Sequence, residues 1–131
     1  MMQLIKKLSE PRLLLALGVG YTLFITAAFL FPAEADSGWE IPNVDKLAHV
    51  LIYILLMLLW CSYVFQKSST DAQRNLLITA LVIFGYGIVI EAIQHWLIPN
   101  RLADIWDVVA NGLGSVLGYL IFKKFALRII S

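Results

Sequence analysis

Cysteine and charge are both scarce in this chain of 131 residues, and their scarcity excludes several classes of protein. A single cysteine excludes an internal disulfide and a zinc site made of several thiolates. Charged residues make up 15% of the chain and hydrophobic residues 60%, whereas soluble domains are roughly a quarter charged and half apolar. The net charge of +1 offers no electrostatic surface for nucleic acid. A soluble enzyme, a nucleic-acid-binding module and a disordered chain are therefore disfavoured, and a small integral membrane protein remains.

Four long apolar runs occupy most of the chain, and its mean hydropathy is +0.81. A helix that crosses the hydrocarbon core needs about 20 consecutive, mostly apolar residues, and the alternating pattern of a membrane β-barrel is absent. The first run is longer than the apolar core of a signal peptide, so we expect it to be a retained helix. We therefore predict an all-α protein, an integral membrane four-helix bundle in a single domain over 1–131. Its helices are expected at about 13–31, 47–65, 76–98 and 105–122.

The basic residues are divided unequally between the two ends of these helices. Cytoplasmic loops of membrane proteins carry an excess of lysine and arginine. Lys46 and Arg101 lie at one side, and the other eight of the ten basic residues lie at the opposite side: Lys6, Lys7, Arg12, Lys67, Arg74, Lys123, Lys124 and Arg128. Both termini are therefore expected to be cytoplasmic, with Lys46 and Arg101 at the outer side of a multi-pass membrane protein.

The third apolar run carries ionisable groups only near its outer end. Glu91, Gln94 and His95 are three and four residues apart, so they share one face of a helix. Glu91 lies seven residues before Ile98, which places it roughly 10 Å along the helix at about 1.5 Å per residue. A carboxyl group at that depth should face the interior of the bundle or a wet cavity, and such groups are functional by default.

The fourth run places polar residues at the same outer end. Asp104, Asp107 and Asn111 follow a spacing of i, i+3 and i+7, so they share one helical face. The same face continues into Gly114 and Gly118, whose small-xxx-small spacing lets helix backbones approach closely. We therefore expect a tight helix contact below a polar surface.

One polar pocket is predicted at the outer-leaflet ends of the second, third and fourth helices. The second helix contributes Asp45 and His49, one turn apart, with Lys46 beside them. Lys46 and Arg101 could pair with the acidic residues, or they could bind an anionic headgroup, because arginine matches phosphate and carboxylate bidentately. The residues expected in or around the pocket are Asp45, Lys46, His49, Glu91, Gln94, Arg101, Asp104, Asp107 and Asn111.

Two kinds of role are open for these side chains. Glu91, His49 and Asp107 are candidates for acid–base catalysis, because carboxyl and imidazole groups can each hold and release a proton. The structural alternative is that the carboxylates pair with the two cations while the amides bond between helices. Whether the protein is an enzyme stays open. The candidates for substrate binding are Lys46, Arg101, Gln94, Asp104, Asn111 and Asp45.

The same residue types bear on a metal or cofactor. Carboxylate and amide oxygens suit Mg²⁺ and Ca²⁺, and an added imidazole suits Zn²⁺. The chain has no HExxH zinc signature, and the spacing of its acidic residues defines no ligand set. No metal site is therefore predicted, and the cofactor stays unknown.

The order of these polar residues resembles that of the VanZ-like membrane proteins. The resemblance rests on three pieces: Asp45-Lys46-x-x-His49, then Glu91-x-x-Gln94, then Arg101-x-x-Asp104-x-x-Asp107-x-x-x-Asn111-x-x-Gly114. It covers the chain from about Asp45 to Gly118. It implies a cell-envelope role in the bacterial cytoplasmic (inner) membrane, because the name of the family comes from a protein linked to teicoplanin, that is glycopeptide, antibiotic resistance. The family has no settled biochemical activity that would supply a mechanism.

Three functions follow as hypotheses, all with the lipid bilayer and none with nucleic acid as a partner. In the first, the pocket binds or processes an anionic envelope lipid or a lipid-linked cell-wall precursor. In the second, the protein is a small transporter or flippase component, for which a homodimer would be expected because four helices are few for a pore. In the third, it is a non-catalytic structural accessory subunit of an envelope enzyme complex.

Overall fold

The computed structural model describes residues 1–31, 44–68, 70–98 and 105–130, with the side chains of the last range up to residue 126. These residues form helices and no strand, which confirms the predicted all-α class. The helices are α1 (Met2–Leu8), α2 (Pro11–Leu30), α3 (Val44–Lys67), α4 (Ala72–Leu97) and α5 (Ile105–Ile130).

Four of these helices are long and apolar enough to cross a membrane. The spans are 20, 24, 26 and 22 residues long, and a helix of 20 residues covers about 30 Å, the thickness of the hydrocarbon core. Large apolar side chains point outward from them, among them Leu23, Phe24 and Leu81. Apolar side chains of this kind are suited to contact with lipid tails. The predicted membrane-helical fold is therefore confirmed.

The helices extend beyond several of the predicted apolar runs, and α1 is an addition to them. The α3 helix begins at Val44 and ends at Lys67, outside the predicted run of 47–65. Hydropathy marks only the part of a helix that lies in hydrocarbon, whereas backbone hydrogen bonding continues into the polar zone. The α1 helix has seven residues and no apolar run, and Pro11 begins α2 because a first-turn position needs no N–H donor.

The core of the bundle lies along one stripe of α3. Tyr53, Leu56, Met57 and Cys61 are fully buried there, and their spacing of three or four residues keeps them on one face. This stripe packs between α2, α4 and α5. Residues of the second apolar run thus form the centre of the molecule.

The α3 and α5 helices approach each other closely at two glycines of α5. A Cβ atom at Gly114 would overlap the Val50 carbonyl oxygen and lie 2.9 Å from the Tyr53 Cβ. A Cβ atom at Gly118 would lie 2.7 Å from the Met57 Cβ. Only glycine fits this contact, in agreement with the small-xxx-small spacing. The contact aligns the polar ends of α3 and α5 one to two turns away.

Candidate functional site

Five polar side chains of α3 and α5 gather at one end of the bundle. We call Asp45, Lys46, His49, Asp107 and Asn111 the polar cluster. His49, Asp107 and Asn111 are buried, whereas Asp45 is exposed and Lys46 is partly exposed. Both helices begin at this end, so residues in their first two turns face one another once the glycine contact has set the helix separation. The cluster is therefore a direct product of the α3–α5 packing.

An ion pair between Lys46 and Asp107 joins the two helices. The Lys46 Nζ donates to the Asp107 Oδ1 and lies 3.4 Å from the Asp45 Oδ2. The side chains of Asp107, Lys46 and Asp45 are 5%, 31% and 66% exposed. Among the described residues, Lys46 therefore pairs with one buried carboxylate that fixes it and with one exposed carboxylate that contributes little, because exposed ion pairs are weak. Two described carboxylates thus face one ammonium group at this point.

His49 is held in one orientation by two contacts. Its Nδ1 lies 2.8 Å from the Asn111 Oδ1, and because an amide oxygen only accepts, Nδ1 carries the proton and donates. The Phe29 ring stacks on the imidazole with 5.1 Å between ring centroids. The Nε2 faces the Asp45 Oδ1 at 3.7 Å and the Asp107 Oδ1 at 3.9 Å. These distances exceed a hydrogen bond. A buried imidazole nitrogen is thus aimed between two carboxylates.

The α4 helix supports the polar cluster through α2. The Gln94 Nε2 donates to the Phe29 carbonyl oxygen at 2.7 Å, and Gln94 itself is buried. Phe29 lies in the last turn of α2, where carbonyl groups lack helical partners. Gln94 therefore fixes the end of α2, and with it the ring that covers His49.

Glu91 is also buried, as its predicted depth in the bundle requires. It lines a groove of about 360 Å³ between α4 and α5, together with His95 and Trp96. One turn away on the same face, Gly87 packs against the Tyr53 ring, 3.2 Å from its would-be Cβ. Glu91 thus faces the interior, and it opens on a groove that the sequence did not predict.

An apolar groove adjoins the polar cluster on the lipid-facing side of α3 and α5. Its volume is about 530 Å³. Lys46 is its single charged lining residue among those that the structure describes there. The other lining residues are Leu47, Val50, Trp106, Val109, Ala110 and Leu113. The groove therefore offers an apolar channel with an ammonium group beside it.

The nine site residues predicted from the sequence fall into four groups in the structure. Five form the polar cluster, Gln94 reaches it through Phe29, and Glu91 is buried on the neighbouring helix. Arg101 and Asp104 lie outside the described residues. Phe29 and Trp106 were missed, because an aromatic residue at the end of an apolar run carries no signal that separates it from a lipid-facing one.

The Gln94–Phe29 bond gives a prediction for stability. Gln94→Leu should lower the free energy of unfolding by about 1–2 kcal/mol, because it leaves a helix-end carbonyl without its donor. Gln73→Leu is the matched control, since Gln73 is exposed in the first turn of the same helix. Thermal unfolding in detergent measures both. Equal stability of the two variants would contradict the proposed support of α2 by α4.

Comparisons with known proteins place this architecture in a family. The VanZ/LLP1 family matches residues 10–128. An uncharacterized protein of the fission yeast Schizosaccharomyces pombe is 32% identical over 105 residues, which cover 80% of this chain. The chain spans 60% of the length of that yeast protein. No solved structure matches. On the extent of the family match, together with four membrane-spanning helices, the chain belongs to the VanZ/LLP1 family.

Proposed function

We propose that this protein binds an acidic membrane lipid, with the headgroup at Lys46 and an acyl chain in the α3–α5 groove. The observation that carries the proposal is the position of the Lys46 ammonium beside an otherwise apolar groove. Ligand sites are typically apolar clefts of about 300–1,000 Å³ with a few polar groups that orient the ligand. A groove of about 530 Å³ fits that description.

Of the two described carboxylates beside Lys46, the exposed one is the contact that a headgroup would replace. Asp107 is buried and holds the ammonium from below, whereas Asp45 is exposed and 3.4 Å away. A phosphate oxygen would replace the Asp45 contact and keep the Asp107 contact. Trp106 on the groove wall is exposed, and an indole suits the level of the headgroups. The charged headgroup would thus contact Lys46, and the acyl chain would lie in the apolar groove.

The finer identity of the lipid rests on the family resemblance and on charge. A lipid-linked cell-wall precursor carries phosphate on a long apolar chain, so it has the chemistry that this groove would accept. In that case the site would face the outer leaflet of a bacterial inner membrane, and glycopeptide susceptibility would be its phenotype. The relative in fission yeast favours a ligand class that bacterial and fungal membranes share, and acidic phospholipids meet that condition. Chemistry on a bound headgroup would use His49 and Asp107, since Glu91 lines a different groove.

Lipid retention in native mass spectrometry tests the proposal. We expect wild-type protein to retain phosphatidylglycerol in preference to phosphatidylcholine with the same acyl chains. Lys46→Gln should lower that preference about tenfold, which corresponds to about 1.4 kcal/mol of the interaction with the headgroup. Lys123→Gln is the control, because Lys123 lies near the opposite end of α5, over the Tyr119 ring. Equal loss in the two variants, or no preference in the wild type, would contradict the proposal.

A second function is favoured by the connectivity of the same residues. The Lys46–Asp107 and His49–Asn111 pairs both join α3 to α5. In a structural accessory subunit these pairs would serve only to fasten the two helices. Lys46→Gln would then lower the melting temperature without changing the preference among lipids.

A further inference from the structure

We propose that Asp45, His49 and Asp107 bind one divalent transition-metal ion, with Zn²⁺ the best fit. Each side chain offers one ligand atom, and the three atoms lie within 4.8 Å of one another. In a tetrahedral zinc site with bonds of about 2.0–2.2 Å, ligand atoms are about 3.4 Å apart. The observed separations of 3.7 and 3.9 Å from His49 Nε2 approach that value. The site does not depend on the lipid proposal.

The imidazole is arranged as a metal-binding histidine is. Its Nδ1 donates to the Asn111 Oδ1 at 2.8 Å, so the lone pair of the neutral ring lies on Nε2. Histidines that bind metals usually donate their other ring N–H to an oxygen, which fixes both the tautomer and the ring plane. The Phe29 ring stacks on the imidazole as a face contact, with 5.1 Å between ring centroids. The buried nitrogen that faces the carboxylates is therefore the one that is ready to bind a metal.

The electrostatics of the cluster also favour a cation at this position. The Nε2 lone pair and two carboxylate oxygens are all electron-rich, and two of the three side chains, His49 and Asp107, are buried. Lys46 donates to the Asp107 Oδ1, the same oxygen that faces the imidazole, so an ion would have to displace the ammonium from this ligand atom. A divalent ion would bind all three ligand atoms at once. Lys46 would then act as a competitor, because its ammonium repels the ion.

The ligand types decide which metal fits. One imidazole and two carboxylates suit Zn²⁺ better than Ca²⁺ or Mg²⁺, since Ca²⁺ takes 6–8 oxygen ligands and Mg²⁺ usually keeps several of its waters. Among divalent ions, Zn²⁺ also binds more tightly than Mn²⁺ at most sites of this kind. Three protein ligands leave a fourth position of the tetrahedron for water or an oxygen of another molecule.

Titration of the purified protein with Zn²⁺ alone tests the site. The protein should be untagged, stripped with a chelator and held in detergent without added lipid. We expect one ion per chain. Asp45→Asn should weaken Zn²⁺ binding at least tenfold, because it removes a ligand. The variant should fold normally, because the Asp45 side chain is exposed. His95→Gln, which alters the other histidine of the chain, should leave the affinity unchanged.

Two further variants separate a metal site from an ordinary ion-pair cluster. Asn111→Ala should lower the Zn²⁺ affinity about 10- to 100-fold by releasing the imidazole. Lys46→Gln should raise the affinity, since it removes the competing ammonium. Absence of stoichiometric Zn²⁺ binding in the wild type, or equal affinities for the wild type and Asp45→Asn, would overturn the proposal. In that outcome the polar cluster is an ordinary ion-pair cluster of Lys46 with Asp107 and Asp45, and the lipid proposal stands unaffected.

Discussion

Gly114→Ala should cost about 2–3 kcal/mol of folding free energy, whereas Gly20→Ala should cost nothing. The new methyl group at position 114 would overlap the Val50 carbonyl oxygen and lie 2.9 Å from the Tyr53 Cβ. Neither the backbone of α3 nor a buried tyrosine can yield, so the two helices must separate, and overpacking of this kind typically costs about 1–3 kcal/mol. Unfolding by SDS in mixed micelles, followed by circular dichroism, measures the difference in stability between the variant and the wild type.

The control for this prediction has the same chemistry without the contact. A Cβ atom at Gly20 would have no neighbour within 4 Å. Gly20→Ala should therefore raise stability by up to about 1 kcal/mol, through the higher helix propensity of alanine. Similar effects of the two substitutions would mean that the α3–α5 approach does not limit stability. The polar cluster would then lack the scaffold that positions it.

Asp107→Asn should lower the free energy of unfolding by about 2–3 kcal/mol, the second large effect. The substitution removes the charged partner of Lys46 and one of the two carboxylates that face His49. Loss of one member of a fully buried ion pair costs about 3–5 kcal/mol. The value here should be smaller, because the Lys46 side chain is 31% exposed and can turn toward polar surroundings.

A double-mutant cycle separates the ion pair from other effects of Asp107→Asn. Combining it with Lys46→Gln should restore part of the lost stability, with a coupling of about 1 kcal/mol or more. Asp45→Asn should change stability by less than about 0.5 kcal/mol, because Asp45 is an exposed partner at 3.4 Å. Strict additivity of Asp107→Asn and Lys46→Gln would contradict a stabilising pair.

Much of this architecture was predictable because lipid imposes simple rules on a chain. A run of about 20 apolar residues must be a helix in the membrane, and polar residues three or four apart must share a face. Those rules predict inward faces for His49, Asp107 and Asn111, and all three residues are buried in the structure. They also identified Gly114 and Gly118 as a contact between helices, which the overlap with α3 supports.

The choice of partners was not predictable, because it depends on the angle and rotation of packed helices. Spacing alone left the acidic partner of Lys46 open, and among the described residues the structure pairs Lys46 with Asp107 and Asp45. Spacing likewise placed Glu91 and Gln94 in the pocket, but Gln94 acts on the backbone of Phe29. The groove beside Lys46 arises from two helices in contact, so no single run of sequence could reveal it.

Substitution of Lys46 distinguishes the lipid-binding proposal from the Zn²⁺ proposal. Lys46→Gln should weaken retention of acidic lipid and strengthen binding of Zn²⁺. A purely structural role would predict neither change. Opposite effects of one substitution on two ligands cannot arise from a general loss of folded protein, which would weaken both.

Photo-crosslinking tests most directly whether the polar cluster and its groove are a ligand site. Phosphatidylglycerol with a photoreactive acyl chain would be compared with the matching phosphatidylcholine, and adducts would be mapped by mass spectrometry. An apolar groove between α2 and α3, lined by Leu17, Phe24 and Leu55, is the internal reference, because no charged residue lines it among those described there. We expect the acidic lipid to enrich adducts along Leu47, Val50 and Val109 relative to this reference, and Lys46→Gln to remove the enrichment. Equal labelling of the two grooves by both lipids would contradict this expectation.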